Sequence, residues 1–125
     1  MASAAPSGRT VLVVEDEPLQ RMMAVDMLED AGFTVLEVAD VKRAIAVLEE
    51  RLDIRVVFTD VDMPHGLDGM RFAALIRDRW PPIEIILTSG QLGVGSQTLP
   101  PRAVFFPKPY RHEQVVAQVM TMMAA

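Results

Sequence analysis

The sequence predicts one α/β domain with a five-stranded parallel sheet covered by helices on both faces. Short apolar runs, several rich in β-branched residues, alternate with segments whose apolar residues recur at helical spacing. The runs are unbroken, which is typical of strands buried on both faces. Half of the 125 residues are apolar, enough for the core of one domain. Residues 1–9 are small and polar and predict a loose tail, so we expect the domain at 10–125.

Each strand and each of the first two helices has its own local signal. The strands are predicted at residues 11–14, 34–38, 55–59, 83–88 and 104–106. Pro18 suits the first turn of helix one, Gly32 ends that helix, and Asp40 is a plausible N-cap for helix two. The apolar residues expected to face inward from helix one are Leu19, Met22, Met23, Val25, Met27 and Leu28. Those expected from helix two are Val41, Ala44, Ile45, Leu48 and Leu52.

The second half of the chain adds two regular helices and one irregular segment. Asp68 and Gly69 open the third helix, and the last helix runs from about Arg111. Between strands four and five, residues 90–102 contain three glycines and, near their end, two prolines. Each glycine disfavours a helix by about 1 kcal/mol and each proline by ~3 kcal/mol. We therefore expect about five helices, of which the fourth is short or irregular.

Composition excludes several classes of function. The formal net charge is −5, which disfavours nucleic-acid binding because phosphate backbones need a basic surface. The chain has no cysteine, so disulfides, thiolate metal sites and a cysteine nucleophile are excluded. No segment has the length and apolarity of a signal peptide or a membrane span. We therefore expect a soluble, cytoplasmic protein without a membrane association.

Charged and hydroxyl side chains follow the ends of four predicted strands. Glu15 and Asp16 follow strand one, Asp60 follows strand three, Thr88 ends strand four, and Lys108 follows strand five. Ligands of parallel α/β sheets bind outside the carboxyl ends of the strands. The sequence therefore predicts that these five residues converge on one functional edge.

The residue types at this edge favour phosphoryl chemistry. Three carboxylates close together need a compensating cation, and oxygen ligands with room for water suit Mg²⁺. No histidine or cysteine has the spacing of a zinc site. Asp60 is the candidate nucleophile, with Lys108 and the Thr88 hydroxyl available to bind phosphoryl oxygens. The interpretation at this point is a Mg²⁺-dependent phosphorylation site.

Five segments in order resemble the receiver domain of bacterial two-component response regulators. They are residues 11–17, 56–64, 68–70, 85–90 and 105–110, and the resemblance covers roughly 10–123. It implies a flavodoxin-like three-layer sandwich with strand order 2-1-3-4-5. It also implies that Glu15 and Asp16 bind Mg²⁺, that Asp60 is the phosphoacceptor and also a metal ligand, and that the backbone carbonyl of Asp62 is a further metal ligand.

The resemblance assigns the remaining roles to strands four and five. Thr88 matches the switch hydroxyl, Phe105 the aromatic side chain that changes rotamer with it, and Lys108 the family's lysine. A cis Lys108–Pro109 bond is also implied, consistent with the rarity of cis bonds outside X–Pro. Asp62 and Gly90 depart from the commonest pattern, and we expect them to tune the lifetime of the phosphoryl group. The turn at residues 64–69 looks one residue longer than usual.

The resemblance further implies a signalling function without substrate turnover. A sensor histidine kinase or a histidine phosphotransfer protein would donate the phosphoryl group to Asp60. The protein would also have intrinsic self-phosphorylation and self-dephosphorylation activity. A downstream protein would bind the face formed by the irregular fourth helix, strand five and the last helix. We expect no output domain in this chain and a monomer in the unphosphorylated state.

Three other functions compete with this interpretation. Asp60-Val61-Asp62 resembles the nucleophile motif of haloacid dehalogenase phosphatases, although that motif belongs near an N-terminus and leaves Glu15 and Asp16 unexplained. A pseudo-receiver would keep the fold and lose phosphorylation. A flavodoxin-type electron carrier would need a phosphate-binding loop after strand one, where the acidic residues 15–17 repel phosphate.

Overall fold

The computed structural model describes residues 10–62, 69–90 and 99–124. Within these ranges, five strands and four helices follow one another along the chain. In order they are β1 (Thr10–Val14), α1 (Pro18–Asp30), β2 (Thr34–Val38), α2 (Val41–Glu50), β3 (Ile54–Asp60), α3 (Gly69–Arg79), β4 (Glu84–Ser89), β5 (Ala103–Pro107) and α4 (His112–Ala124). All five predicted strands are present, and their bounds agree with the prediction to within one residue.

The five strands form one parallel sheet in the order β2-β1-β3-β4-β5. Residues of α2 and α3, among them Leu48 and Phe72, pack on one face of the sheet. Residues of α1 and α4, among them Leu28 and Val119, pack on the other face. The predicted three-layer α/β sandwich and its strand order are therefore confirmed.

Local sequence explains how the first two helices begin and where the first one ends. Glu17 caps α1 because its side chain accepts a hydrogen bond from the backbone N–H of Gln20 at 2.9 Å. Asp40 caps α2 in the predicted way, accepting from the backbone N–H of Arg43 at 2.8 Å. After α1, Gly32 takes a φ of 95°, which an L side chain rarely adopts. Both helices thus begin directly after an acidic residue that caps the first turn.

The inward-facing stripe predicted for α1 is partly wrong. Leu19, Met22 and Met23 are 58%, 52% and 50% exposed. The buried residues of this helix are Ala24, Val25, Met27 and Leu28. Because α1 is apolar around more than one side, its apolar residues alone do not identify the face that packs on the sheet.

The prediction for Leu52 is also wrong, since this side chain is 99% exposed. Helix α2 ends at Glu50, so the helical spacing that would turn Leu52 inward does not continue that far. The other predicted residues of this helix are buried or half-buried. The error therefore lies in the length of the helix and not in its inner face.

Several predictions lie outside the described residues. They are the tail at 1–9, the longer turn together with Asp68, and the irregular helix between strands four and five, of which residues 91–98 are not described. In the described parts of the chain, no helix has both the length and the apolarity that crossing a bilayer requires.

Candidate functional site

The five residues that the sequence predicts as a site lie at the carboxyl edge of the sheet. Glu15 directly follows β1, Asp60 is the last residue of β3, and Lys108 directly follows β5. Thr88 is buried near the end of β4, in direct register with Asp60. Parallel strands end on the same side, which is why residues far apart in sequence meet here.

Three carboxylates form the centre of the site. Glu15, Asp16 and Asp60 each offer an oxygen, and these oxygens lie within 4.8 Å of one another. Glu15 and Asp60 are only 6% and 5% exposed, whereas Asp16 is open to solvent. A set of hard oxygen donors with one open side fits Mg²⁺, which keeps several of its waters.

Lys108 is the cation that contacts this cluster. Its ammonium lies 3.0 Å from Asp60 Oδ2 and 3.2 Å from Glu15 Oε1. Burial lowers the pKa of Lys108, but hydrogen bonding to Asp60 and the charges of Asp60 and Glu15 outweigh burial, so the pKa is raised overall. Lys108 therefore stays protonated and holds its positive charge beside Asp60.

One lysine does not neutralise the site. Burial raises the pKa of Glu15 from 4.5 to about 7. The backbone N–H of Glu17, which donates to Glu15 Oε2 at 3.1 Å, opposes this rise, and the nearby charge of Asp60 adds to it. The carboxylates of the site thus carry more negative charge than Lys108 neutralises, in a place shielded from water, which favours binding of a divalent cation.

Gln20 is a site residue that the sequence did not predict. The Lys108 ammonium donates a hydrogen bond of 2.6 Å to Gln20 Oε1, in addition to its two carboxylate contacts. Gln20 lies on the first turns of α1, which the Glu17 cap and Pro18 direct toward the site. A polar residue one turn into a helix carries no sequence signal of its own, so only the fold reveals this contact.

Asp62 and Gly90, which were expected to tune the site, contact each other. The backbone N–H of Asp62 donates to Asp60 Oδ1 at 2.8 Å. The Asp62 carboxylate accepts from the backbone N–H of Gly90 at 2.9 Å and from the Ser89 hydroxyl, which lies 2.7 and 2.9 Å from its two oxygens. Ser89 is the second site residue that the sequence did not predict.

Strand β5 carries the remaining predicted residues. The Lys108–Pro109 bond is cis, as the resemblance implies. Phe105 is half-buried and packs on the α2/α3 side of the core. In the β4–β5 register Phe105 lies opposite Leu87, and Thr88 lies opposite Phe106. That Phe105 changes its rotamer together with a movement of Thr88 stays a prediction.

Gly69 packs against the end of β3 from the α3 side. A Cβ at this position would overlap the Cα of Val61 and lie 2.9 Å from the carbonyl oxygen of Asp60. The backbone of α3 therefore approaches the end of β3 so closely that only glycine fits. This contact determines where the chain leaves β3 after Asp60.

Fold and site together define a doubly wound α/β domain with an acidic pocket and a lysine at the carboxyl edge of its sheet. A family profile described as the response regulator receiver domain matches residues 11–119. The chain therefore belongs to the response regulator receiver domain family of two-component systems, which is a signalling family and not one of turnover enzymes. This membership decides against the dehalogenase-type phosphatase and the flavodoxin-type carrier.

Curated relatives carry this domain as part of longer chains. The chain is 36% identical to the sensor kinase CckA of Brucella abortus over 118 residues, which cover 91% of this chain and 12% of that protein. It is 36% identical to the transcriptional regulatory protein TcrA of Mycobacterium tuberculosis over 86 residues, covering 67% and 33% of the two chains. This chain thus spans a third or less of the length of these relatives.

Solved receiver structures share the fold over nearly the whole chain. A response regulator receiver protein from Sinorhizobium medicae is 28% identical with a TM-score of 0.83, covering 93% of this chain and 94% of that one. The response regulator TrrA of Thermotoga maritima, solved in complex with Mg²⁺ and BeF, has a TM-score of 0.83 at 23% identity and covers 91% and 98% of the chains. The latter likeness concerns the fold alone.

Proposed function

We propose that this domain is a phosphorylation switch in which Asp60 accepts a phosphoryl group from a phosphohistidine. The observation that carries the proposal is the position of Asp60. It is a buried carboxylate at the end of the central strand, 3.0 Å from the Lys108 ammonium, and shares a possible cation site with Glu15 and Asp16. A buried carboxylate beside an ammonium group and a cation site can act as the nucleophile that forms an acyl phosphate.

In the proposed reaction an Asp60 oxygen attacks the phosphorus atom of the donor. The new bond joins this oxygen to phosphorus, the phosphorus–nitrogen bond to the donor imidazole breaks, and that nitrogen keeps the electron pair and takes up a proton. Lys108 neutralises a phosphoryl oxygen, and the Thr88 hydroxyl donates to another. Hydrolysis of the acyl phosphate later returns Asp60 to a carboxylate and releases inorganic phosphate.

Glu15, Asp16, Asp60 and the backbone carbonyl of Asp62 would hold Mg²⁺. When bound, Mg²⁺ supplies positive charge that offsets both the carboxylates and the phosphoryl oxygens. The donor set supports this role, since three carboxylate oxygens lie within 4.8 Å of one another beside a single lysine.

Phosphorylation would act through β4 on the proposed binding face, of which β5 and α4 are described. Thr88 lies in register with Asp60 on one side and with Phe106 on the other, so movement of Thr88 toward a phosphoryl group changes the packing next to β5. The half-buried Phe105 is the proposed partner in this exchange. A sensor histidine kinase or a histidine phosphotransfer protein is the proposed donor, and a further protein is the proposed reader.

The test is the intact mass of the protein after incubation with acetyl phosphate and Mg²⁺. We expect the wild type to gain one phosphoryl group, Asp60→Asn to gain none, and EDTA to prevent the gain. Asp53→Asn is the matched control, because Asp53 lies at the opposite end of the sheet and its variant should label normally. Absence of labelling of the wild type by acetyl phosphate, phosphoramidate and a phosphorylated kinase would refute the proposal and favour a pseudo-receiver.

A further inference from the structure

The end of β4 is tied to the phosphoacceptor loop by a contact that the proposed chemistry does not use. The Asp62 carboxylate receives the Ser89 hydroxyl at 2.7 and 2.9 Å and the backbone N–H of Gly90 at 2.9 Å. Ser89 is 1% exposed, so its hydroxyl is held in the protein and not in solvent. We call this contact of Asp62 with Ser89 and Gly90 the clasp.

The clasp determines where a carboxylate two residues from Asp60 is directed. The backbone N–H of Asp62 donates to Asp60 Oδ1 at 2.8 Å, so the chain at Asp62 is anchored within the site. Its side chain is instead bound at the end of β4 through both oxygens. A carboxylate in this region that is free to rotate can take a proton from a water near the acyl phosphate, whereas in the clasp both oxygens of Asp62 are already bound by donors of Ser89 and Gly90.

We propose that Ser89 is a positioning residue that lengthens the life of the phosphorylated state by holding the Asp62 carboxylate away from the hydrolytic water. This inference rests on the proposed phosphorylation of Asp60 and gives a sign to the tuning expected at Asp62. Ser89 acts through the Asp62 carboxylate, which its hydroxyl contacts.

The step that the clasp restrains is hydrolysis of the acyl phosphate. The oxygen of a water molecule attacks phosphorus, the bond between phosphorus and the Asp60 oxygen breaks, and Asp60 leaves as a carboxylate with the electron pair. The proton of the attacking water goes to the Asp62 carboxylate and from there to bulk water. General-base assistance of this kind accelerates a reaction by about 10²–10⁴-fold when the base is fully in place.

Removing the Ser89 hydroxyl should open the clasp part of the time. A hydrogen bond to a charged group typically shifts an equilibrium, here that between the clasped and the released Asp62 carboxylate, by roughly tenfold or more. The Gly90 amide still binds Asp62, so we expect Ser89→Ala to shorten the lifetime of the phosphorylated protein by about three- to tenfold. Ser89→Ala should have no effect on this lifetime in a protein that carries Asn at position 62, because the carboxylate is then absent.

The experiment compares wild type, Ser89→Ala, Asp62→Asn and the double variant. Each is labelled with acetyl phosphate and Mg²⁺, the donor is removed by desalting, and loss of the phosphoryl group is followed by intact mass. We expect Ser89→Ala to lose the group faster than the wild type, and the double variant to lose it at the rate of Asp62→Asn. Thermal unfolding with and without Mg²⁺ checks that Ser89→Ala keeps the fold and the metal response.

Two results would overturn the inference while leaving phosphorylation intact. One is an unchanged lifetime in Ser89→Ala. The other is an equal shortening by Ser89→Ala with Asp and with Asn at position 62, because a merely structural role of Ser89 would act without the carboxylate. Failure of the wild type to label with any donor would instead remove the phosphoacceptor role, and the inference with it.

Discussion

At the amino end of the sheet one carboxylate is paired with its own arginine, whereas at the carboxyl end two buried carboxylates share one lysine and a third carboxylate lies beside them. Asp53 accepts two hydrogen bonds from Arg51, at 2.8 and 2.7 Å, and one from the Thr10 hydroxyl at 2.8 Å. At the other end, the ammonium of Lys108 is the one positively charged group that contacts the carboxylates of Glu15 and Asp60 among the described residues. The same residue type is therefore placed in two opposite electrostatic settings.

The pKa values of the two ends move in opposite directions. Hydrogen bonding from Arg51 lowers the pKa of Asp53 from 3.8 to about 2. Burial raises the pKa of Glu15 from 4.5 to about 7. A lowered carboxyl pKa stabilises the folded protein at neutral pH, and a raised one destabilises it. The Asp53 carboxylate thus stabilises the folded protein, whereas the charged form of Glu15 destabilises it, a cost that the proposed binding of Mg²⁺ would offset.

The largest expected effect concerns the packing that supports the carboxyl end. Gly69→Ala should lower the free energy of unfolding by about 3 kcal/mol or more, because the new Cβ overlaps backbone atoms that cannot rotate away. Chemical denaturation measures this loss. Gly90→Ala is the matched control, since a Cβ there meets no atom within 4 Å. If both variants were equally stable, the close approach of α3 to β3 would be refuted.

The next effect tests the lysine. Lys108→Ala should lower the free energy of unfolding by about 2 kcal/mol without Mg²⁺, because two buried carboxylates lose their only contacting ammonium in the described structure. Mg²⁺ should restore more stability to this variant than it adds to the wild type. Thermal unfolding with and without Mg²⁺ measures both values. Lys42→Ala, at an exposed position of α2, is the control and should change neither.

A smaller effect of opposite sign is expected at Glu15. Glu15→Gln should raise the free energy of unfolding by roughly 1 kcal/mol without Mg²⁺ at a pH above 7, because a desolvated charge is removed. The same variant should lose the stabilisation by Mg²⁺. Glu29→Gln on the exposed side of α1 should do neither. A loss of stability in Glu15→Gln would contradict the excess of negative charge.

The smallest effect belongs to the amino end and depends on pH. Asp53→Asn should lower the free energy of unfolding by about 1 kcal/mol at neutral pH, a value reduced for the partial exposure of the pair. Because the pKa of Asp53 is lowered to about 2, its contribution is complete above the unfolded pKa and is lost as pH falls through the folded one. Wild type and variant should therefore converge in acid. A gap that stays constant would exclude the ion pair as its cause.

The sequence was sufficient for the strands and for most residues of the site. Unbroken β-branched runs identify buried strands, and their carboxyl ends identify where Glu15, Asp60 and Lys108 meet. These are local signals combined with one general rule of parallel sheets. The order of the strands, in contrast, came from the family resemblance and not from periodicity.

The sequence was not sufficient where a result depends on three-dimensional neighbours. Helix α1 has apolar residues on several sides, so periodicity did not show that Met22 and Met23 remain exposed. The contacts of Lys108 with Gln20 and of Asp62 with Ser89 join residues 88 and 27 positions apart. A side-chain hydrogen bond over such a distance has no local pattern, because it depends on where two backbones come to lie.

The glycine at the start of α3 also makes the two sides of Asp60 unequal. Backbone packed against backbone at Gly69 and Val61 leaves no space on that flank of Asp60. On the opposite flank, Asp60 lies in register with Thr88 of β4, and the neighbouring Asp62 accepts a hydrogen bond from Ser89. We therefore expect a change at Asp60 to displace β4 and β5 more than α3, whose backbone has no free space against β3.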